Sequence, residues 1–287
     1  MFSEFYTQCH AIEWENSIVH GGSRRVSFSS REGKHSRINT DEKVSLDKII
    51  ESSPKTNGKS LLDDQEEPEI ENKDELKEAY QDLEVAGVKV KWGTDKEIID
   101  RRVTNFFSFF DPSGNCFDLC ARPQKSTRRY FPTRDAGITE FSHVGLKTTN
   151  APRDEIFWTT YFNIRPNDWI GDAALLSFDS LHHRIALFPA DNPGIQHINF
   201  QVDSIDDVMR SFYFLSSEQV RIVFGPCRHA TSGAMFLYFE GPDGMVYEYS
   251  NGVRIINDPN YRPRQYPFTP EAFCVWGAKP DIPEFRD

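Results

Sequence analysis

The feature that most narrows the fold is a repeat between residues 138 and 250. His143-Val-Gly-Leu-Lys opens one strand and His197-Ile-Asn-Phe-Gln opens another. Each is followed by a helix-compatible stretch, 154–162 and 204–217, and then by further strands. The unit is strand, helix, three strands, used twice. Two such units side by side can bend a sheet into a cup, and a repeat constrains architecture more than any single element does. A further copy of the helix-and-strands part spans 74–122. A helix from 74 to 87 leads to strands at 88–92, 103–110 and 115–119, with Asp111-Pro-Ser-Gly114 as the last turn. Asp118 in this copy falls where Glu248 falls in the last strand of the second unit.

The strand period of two identifies which residues face the cup. In 197–202 it sets His197, Asn199 and Gln201 on one face and Ile198, Phe200 and Val202 on the other. A polar face is unusual for a strand packed on a core and natural for one lining a site. The last two strands, 235–239 and 245–249, are joined by the turn Glu240-Gly-Pro-Asp-Gly244, and the second carries Glu248 among apolar neighbours. A carboxylate facing a core is costly unless it is paired or holds a cation. His143 and His197, at equivalent places in the two units, provide the partners. Two histidines and a carboxylate on one face of an octahedral ion leave the other face open, the ligand set of non-haem Fe(II) oxygenases.

The motifs FSHVGL around His143, LHHRIALFP around His183, GIQHINFQV around His197 and GPCRHATSGAMFLYFEGPDGMVYEY to Tyr249, taken in this order, carry a resemblance. The chain resembles the type I extradiol ring-cleavage dioxygenases of the vicinal oxygen chelate superfamily, the group of the 2,3-dihydroxybiphenyl and 2,3-dihydroxy-p-cumate enzymes. The resemblance is continuous over 138–252 and recognisable over 74–122. It implies an α+β fold of repeated βαβββ modules with cupped mixed sheets. It implies His143, His197 and Glu248 as ligands of Fe(II), with Mn(II) the alternative metal and no organic cofactor. It also implies His183 as the acid–base residue and His229 and Tyr238 as hydrogen-bonding groups around the substrate. The activity that goes with this is cleavage of a substituted catechol by O2 beside its hydroxyls, in a homo-oligomer. The residues agree with these roles: Tyr238 lies across a tight turn from Glu248, and His183 is read as sharing a strand face with Ile185 and Leu187, while His182 points to the opposite face as a structural or solvated residue.

Two departures from the family pattern stand out. Thr231-Ser232 occupies the place where biphenyl-type enzymes tend to have Asn-Asp, which points to a monocyclic catechol with a carboxylate or alkyl group. The N-terminal part is degenerate, with Gln65 where a counterpart of His197 is expected, inside an acidic insertion over about 40–74. That insertion reads as a mobile, solvated run, preceded by a short candidate strand at 25–29. The expected division is a metal-free N-terminal domain, 1–135, and a catalytic domain, 136–287, whose Pro- and aromatic-rich tail (267–280) wraps near the cavity mouth.

Composition removes other classes of function. The net charge of −11 argues against nucleic acid or an anionic membrane as partner. No apolar run is long enough to span a bilayer. Five cysteines without a C-x-x-C pair fit a reduced cytoplasm and speak against a cysteine zinc site, with Cys227 a packing residue. Two rivals keep the cup but change the chemistry: a glyoxalase-like isomerase, and a small-molecule-binding module without metal ligands.

Overall fold

The computed structural model describes residues 10–11, 67–123, 134–162 and 164–285. The candidate strand at 25–29, Gln65 and the acidic insertion up to residue 66 lie outside them. Among these residues, thirteen strands form two sheets. The smaller has the order β1-β4-β3-β2 and the larger the order β10-β11-β12-β9-β5-β8-β7-β6-β13.

The small sheet is built from β1 (His10–Ala11), α1 (Glu67–Val85), β2 (Val90–Trp92), α2 (Asp95–Arg101), β3 (Asn105–Phe110) and β4 (Cys116–Ala121). Helix α1 starts inside the acidic run, earlier than the periodicity indicates. The connection after Trp92, expected as a loop, contains α2, which Thr94 and Glu97 open with a capping box. The strand holding the place expected for a partner of β4 is β1, with Ala11 opposite Asp118.

The large sheet holds the two complete units. They are β5 (Ile138–Thr148), α3 (Ala151–Tyr161), β6 (Arg165–Ile170), β7 (Ala173–Ser177) and β8 (Ile185–Pro189), then β9 (Gly194–Val202), α4 (Ile205–Ser217), β10 (Ile222–Arg228), β11 (Met235–Glu240) and β12 (Val246–Asn251). Asn150 and Ser204 cap the two helices through hydrogen bonds to the third residue beyond each. The tail adds β13 (Arg264–Tyr266), a short helix α5 (Pro270–Phe273) and a 3₁₀ turn at Pro283–Phe285. This is the expected α+β architecture of βαβββ modules.

Among the described residues, the three larger of four apolar clusters organise the fold. One joins Leu76, Phe107, Phe109 and Phe117 of the small sheet to Leu146, Phe157, Trp158 and Leu187 of the large one. A second, on the face of the large sheet away from α3, brings Phe188, Phe224, Phe236 and Tyr238 together with Phe273, Ile282 and Phe285 of the tail. A third packs Val208 of α4 against Leu237 and Phe239. The tail is thus part of the cup wall, held also by a disulfide between Cys227 and Cys274, whose Cα atoms are 5.8 Å apart. This corrects the expectation of reduced cysteines: β10 and the tail meet in space although 47 residues separate the two. Among the described residues no helix is long and apolar enough to cross a membrane.

Trp158 is fully buried and touches Phe109, Phe117, Phe157 and Phe162. Trp158→Ala is expected to destabilise the protein by about 3–5 kcal/mol, read by chemical denaturation, because the cavity it leaves lies between both sheets.

Candidate metal centre

Strands β12, β9 and β5 are neighbours, and each contributes one side chain to a common point on the concave face. These are Glu248, His197 and His143, exposed by 0%, 1% and 3%. His143 Nε2 lies 2.9 Å from His197 Nε2. Glu248 Oε2 lies 3.2 Å from the first and 3.3 Å from the second. One ligand atom from each lies within 4.8 Å of the others; among the described residues this is the cluster of His, Cys, Asp or Glu suited to a metal ion.

The register explains how the histidines meet. Gly145 pairs with His197 but Leu146 pairs with Ile195, so Gln196 is an extra residue in a β-bulge. Gln196 Oε1 accepts a hydrogen bond from His197 Nδ1–H, leaving the Nε2 lone pair to face His143 and Glu248. This is how protein groups orient metal-binding imidazoles. Gly145 makes room for it: a Cβ there would come 2.3 Å from His197 Nδ1.

Burial sets the charges. It holds the His143 imidazole down at about 4, against the opposing influence of Glu248, so the ring is neutral at pH 7. Burial alone would raise the Glu248 carboxyl, but hydrogen bonding to His143, His197 and His229 outweighs it and keeps that carboxyl well below the ordinary range. Oε2 nevertheless has no hydrogen bond of good geometry, although it is fully buried. An orphaned carboxylate oxygen facing two imidazole nitrogens fits a cation, which would satisfy all three lone pairs at once.

The three remaining sequence-indicated residues reach the same space. The His183 ring centroid is 4.1 Å from that of His143. It does not lie on β8, and the period of two fails here: Ile185 and Leu187 belong to the cluster on the other side of the sheet. Burial, then the neighbouring His143 and His182, push its pKa well below the usual imidazole value. Tyr238 pairs with Glu248 across β11 and β12. Burial and then the Glu248 charge push its phenol well above the usual value. Tyr238 Oη and Glu248 Oε1 flank His229 Nε2 at 3.2 and 3.4 Å, while His229 Nδ1–H donates to the Phe273 carbonyl at 2.8 Å. Thr231 and Ser232 are buried, and their carbonyls accept from Arg264 and the Arg254 amide.

Sequence reasoning missed Gln196 and Asp168. Of the two expectations for His182, structural or solvated, the structure gives the first: the ring is fully buried against His183 and Asp168. Adjacency in LHHRIALFP hints at His182; nothing in RPNDWI marks Asp168. A cleft of about 490 Å³ is lined by Lys147, Gln196, Arg221, Glu240 and Val246 and by Ile282 of the tail, and by none of the six residues.

A cupped sheet of paired βαβββ units with a carboxylate and two histidines on its inner strands defines the vicinal oxygen chelate class. Residues 140–249 match the family model of the Glyoxalase/Bleomycin resistance protein/Dioxygenase superfamily, and the chain carries a domain of that superfamily. It is 28% identical over 232 residues to an iron-dependent extradiol dioxygenase of Rhodococcus jostii, covering 73% of this chain and 75% of the relative. Among solved structures it resembles BphC, a halotolerant catechol dioxygenase, with TM-score 0.66, 21% identity and 74% of each chain covered. It also resembles the Mn(II)-bound glyoxalase from Novosphingobium aromaticivorans, with TM-score 0.65, 26% identity, and 75% of this chain and 71% of that one covered.

Gly145→Ala is expected to displace the His197 ring and weaken metal binding about 10- to 100-fold, the usual cost of losing a group that orients a ligand. Metal titration checks this, with the circular dichroism spectrum unchanged.

Proposed function

We propose that this chain is an extradiol dioxygenase, opening the ring of a substituted catechol beside its hydroxyls with O2 and Fe(II) to give a hydroxymuconic semialdehyde-type product. The observation that carries the reading is the buried centre, where His143, His197 and Glu248 converge with one carboxylate oxygen unpartnered. In this reading those three hold the metal, His183 is the acid–base residue, and His229 and Tyr238 bond to oxygens of the bound reactants. Bound Fe(II) supplies coordination positions for a chelated catechol and O2 and a path for electrons between them. Two neutral imidazoles and one carboxylate leave a net charge of +1, suited to a catechol monoanion. His183, neutral at rest, is able to take up and return a proton at its free ring nitrogen. Phe224, Phe236 and Phe285 pack against Tyr238, with Phe188 and Phe273 against Phe285, and these rings keep water from this space.

The Rhodococcus relative is named as iron-dependent, which supports Fe(II); the glyoxalase neighbour keeps Mn(II) as the alternative. That neighbour also favours a second reading, a metal-dependent isomerase of the glyoxalase type. The ligand set of two His and one Glu, with His183 and Tyr238 beside it, supports the dioxygenase instead. Oxygen uptake with catechols, against isomerisation of a hemithioacetal, separates the two. A non-catalytic binding module would take up no metal at all. We assign the chemistry to residues 136–287, with 1–135 as a metal-free unit, in a homo-oligomer whose mass light scattering would give.

Anaerobic reconstitution is expected to give about one Fe(II) per chain. Glu248→Ala should strip the metal with the fold retained. His183→Gln should keep iron and anaerobic catechol binding but lose about a hundred- to ten-thousand-fold in oxygen uptake. Loss of iron from His183→Gln, or near-normal turnover, would count against its acid–base role.

Substrate preference follows from Thr231-Ser232 and the aromatic tail. A monocyclic catechol with a carboxylate or alkyl group is expected to show a higher kcat/KM than 2,3-dihydroxybiphenyl; the reverse order would sink this assignment.

A further inference from the structure

His183 is joined to a second buried acid through His182. His183 Nδ1 lies 3.0 Å from His182 Nδ1, and His182 Nε2 lies 2.8 Å from Asp168 Oδ2. Asp168 and His182 are both fully buried. A bulge in β6, where Pro166 pairs with Leu176 but Asp168 with Leu175, lets two consecutive residues turn toward His182. Asn167 donates to the His182 carbonyl at 2.8 Å, and Asp168 takes the ring. The other partners of Asp168 are all donors: the Arg264 amide and Nε, Arg264 Nη2 and the Tyr261 hydroxyl.

Donor and acceptor logic allows one arrangement. Burial would raise the Asp168 carboxyl, but His182 and Arg264 hold it below the usual carboxylate range, so it is ionised and can only accept. His182 must donate from Nε2. Burial, opposed by Asp168, keeps His182 neutral, so its Nδ1 is a bare acceptor. His183 must then donate from Nδ1, and its Nε2 is left as a lone pair. We propose that Asp168 and His182 are positioning residues that fix the tautomer of His183, so that an accepting Nε2 is the nitrogen available beside His143 and Glu248. Its catalytic consequence rests on the acid–base role proposed for His183; the tautomer itself does not. In Ser-His-Asp triads a carboxylate orients an imidazole in the same way, and exchange of Asp for Asn selects the wrong tautomer. Here the carboxylate acts through one more ring.

The test is ¹⁵N-histidine NMR of the full chain loaded with diamagnetic Zn(II), with His183 assigned by comparison with His183→Gln. The expected signature is a proton on Nδ1 and none on Nε2. In Asp168→Asn the amide can donate to His182 Nε2, which reverses both rings and moves the His183 proton to Nε2. Loaded with Fe(II), this variant should lose about a hundredfold or more in kcat with KM and iron content within twofold. If Asp168→Asn does not fold for want of a partner for Arg264, His182→Leu should give mixed His183 tautomers. His182→Asn, with an acceptor near the Nδ1 position, should recover most of the single tautomer and of the lost kcat. A proton on Nε2 in the parent protein, or an unchanged tautomer in both Asp168→Asn and His182→Leu, overturns the proposal. A reversed tautomer with undiminished kcat supports the relay and instead removes the acid–base role of His183.

Discussion

A single buried charge governs this structure. Glu248 is wholly out of water, and an ionised carboxylate survives there only with compensation from every side. The compensation comes from the three imidazoles hydrogen-bonded around it, of which burial keeps that of His143 neutral, and from the cation that such a centre fits. The strand order β12-β9-β5 exists on the same terms, because only adjacent inner strands can bring three such side chains to one point. Gly145 and the bulge at Gln196 are local adjustments to that crowding.

The aromatic wall serves the same requirement. Phe285 of the tail stacks on Phe273 at 4.7 Å and lies tilted against Phe188 at 4.8 Å, and Phe224 stands beside Tyr238. These rings lower the local dielectric and so strengthen every polar contact within the cup. The tail also supplies the Phe273 carbonyl that orients His229, and the Cys227–Cys274 bond fixes that segment to the strand leading into His229. The C-terminal segment is therefore part of the site.

The small sheet buries its own acid differently. Asp118 holds the place of Glu248 and is equally buried, but it faces Arg101 at 2.5 Å and Ser108 at 2.6 Å. A guanidinium, stacked on Phe106, neutralises the acid, where the carboxylate of the other half faces imidazoles and a place for a cation. One architecture thus accommodates the same buried acid by two chemistries, and the residue opposite the carboxylate decides between them.

The sequence alone determined the repeated βαβββ order, the alternation along β9 and β12, and the six residues gathered at the centre. It could do so because strand period and turn residues are local properties, and because a carboxylate in an apolar strand is conspicuous. It could not place Asp168 or Gln196, nor decide between a structural and a solvated His182. The period of two breaks at the bulges in β6 and β9 and in the connection before β8, so side chains there turn opposite to the expected face. Nor could it show that Cys227 meets Cys274, or that one apolar cluster spans both sheets. Those facts depend on which distant segments the closed cup presses together, and only the tertiary structure decided them.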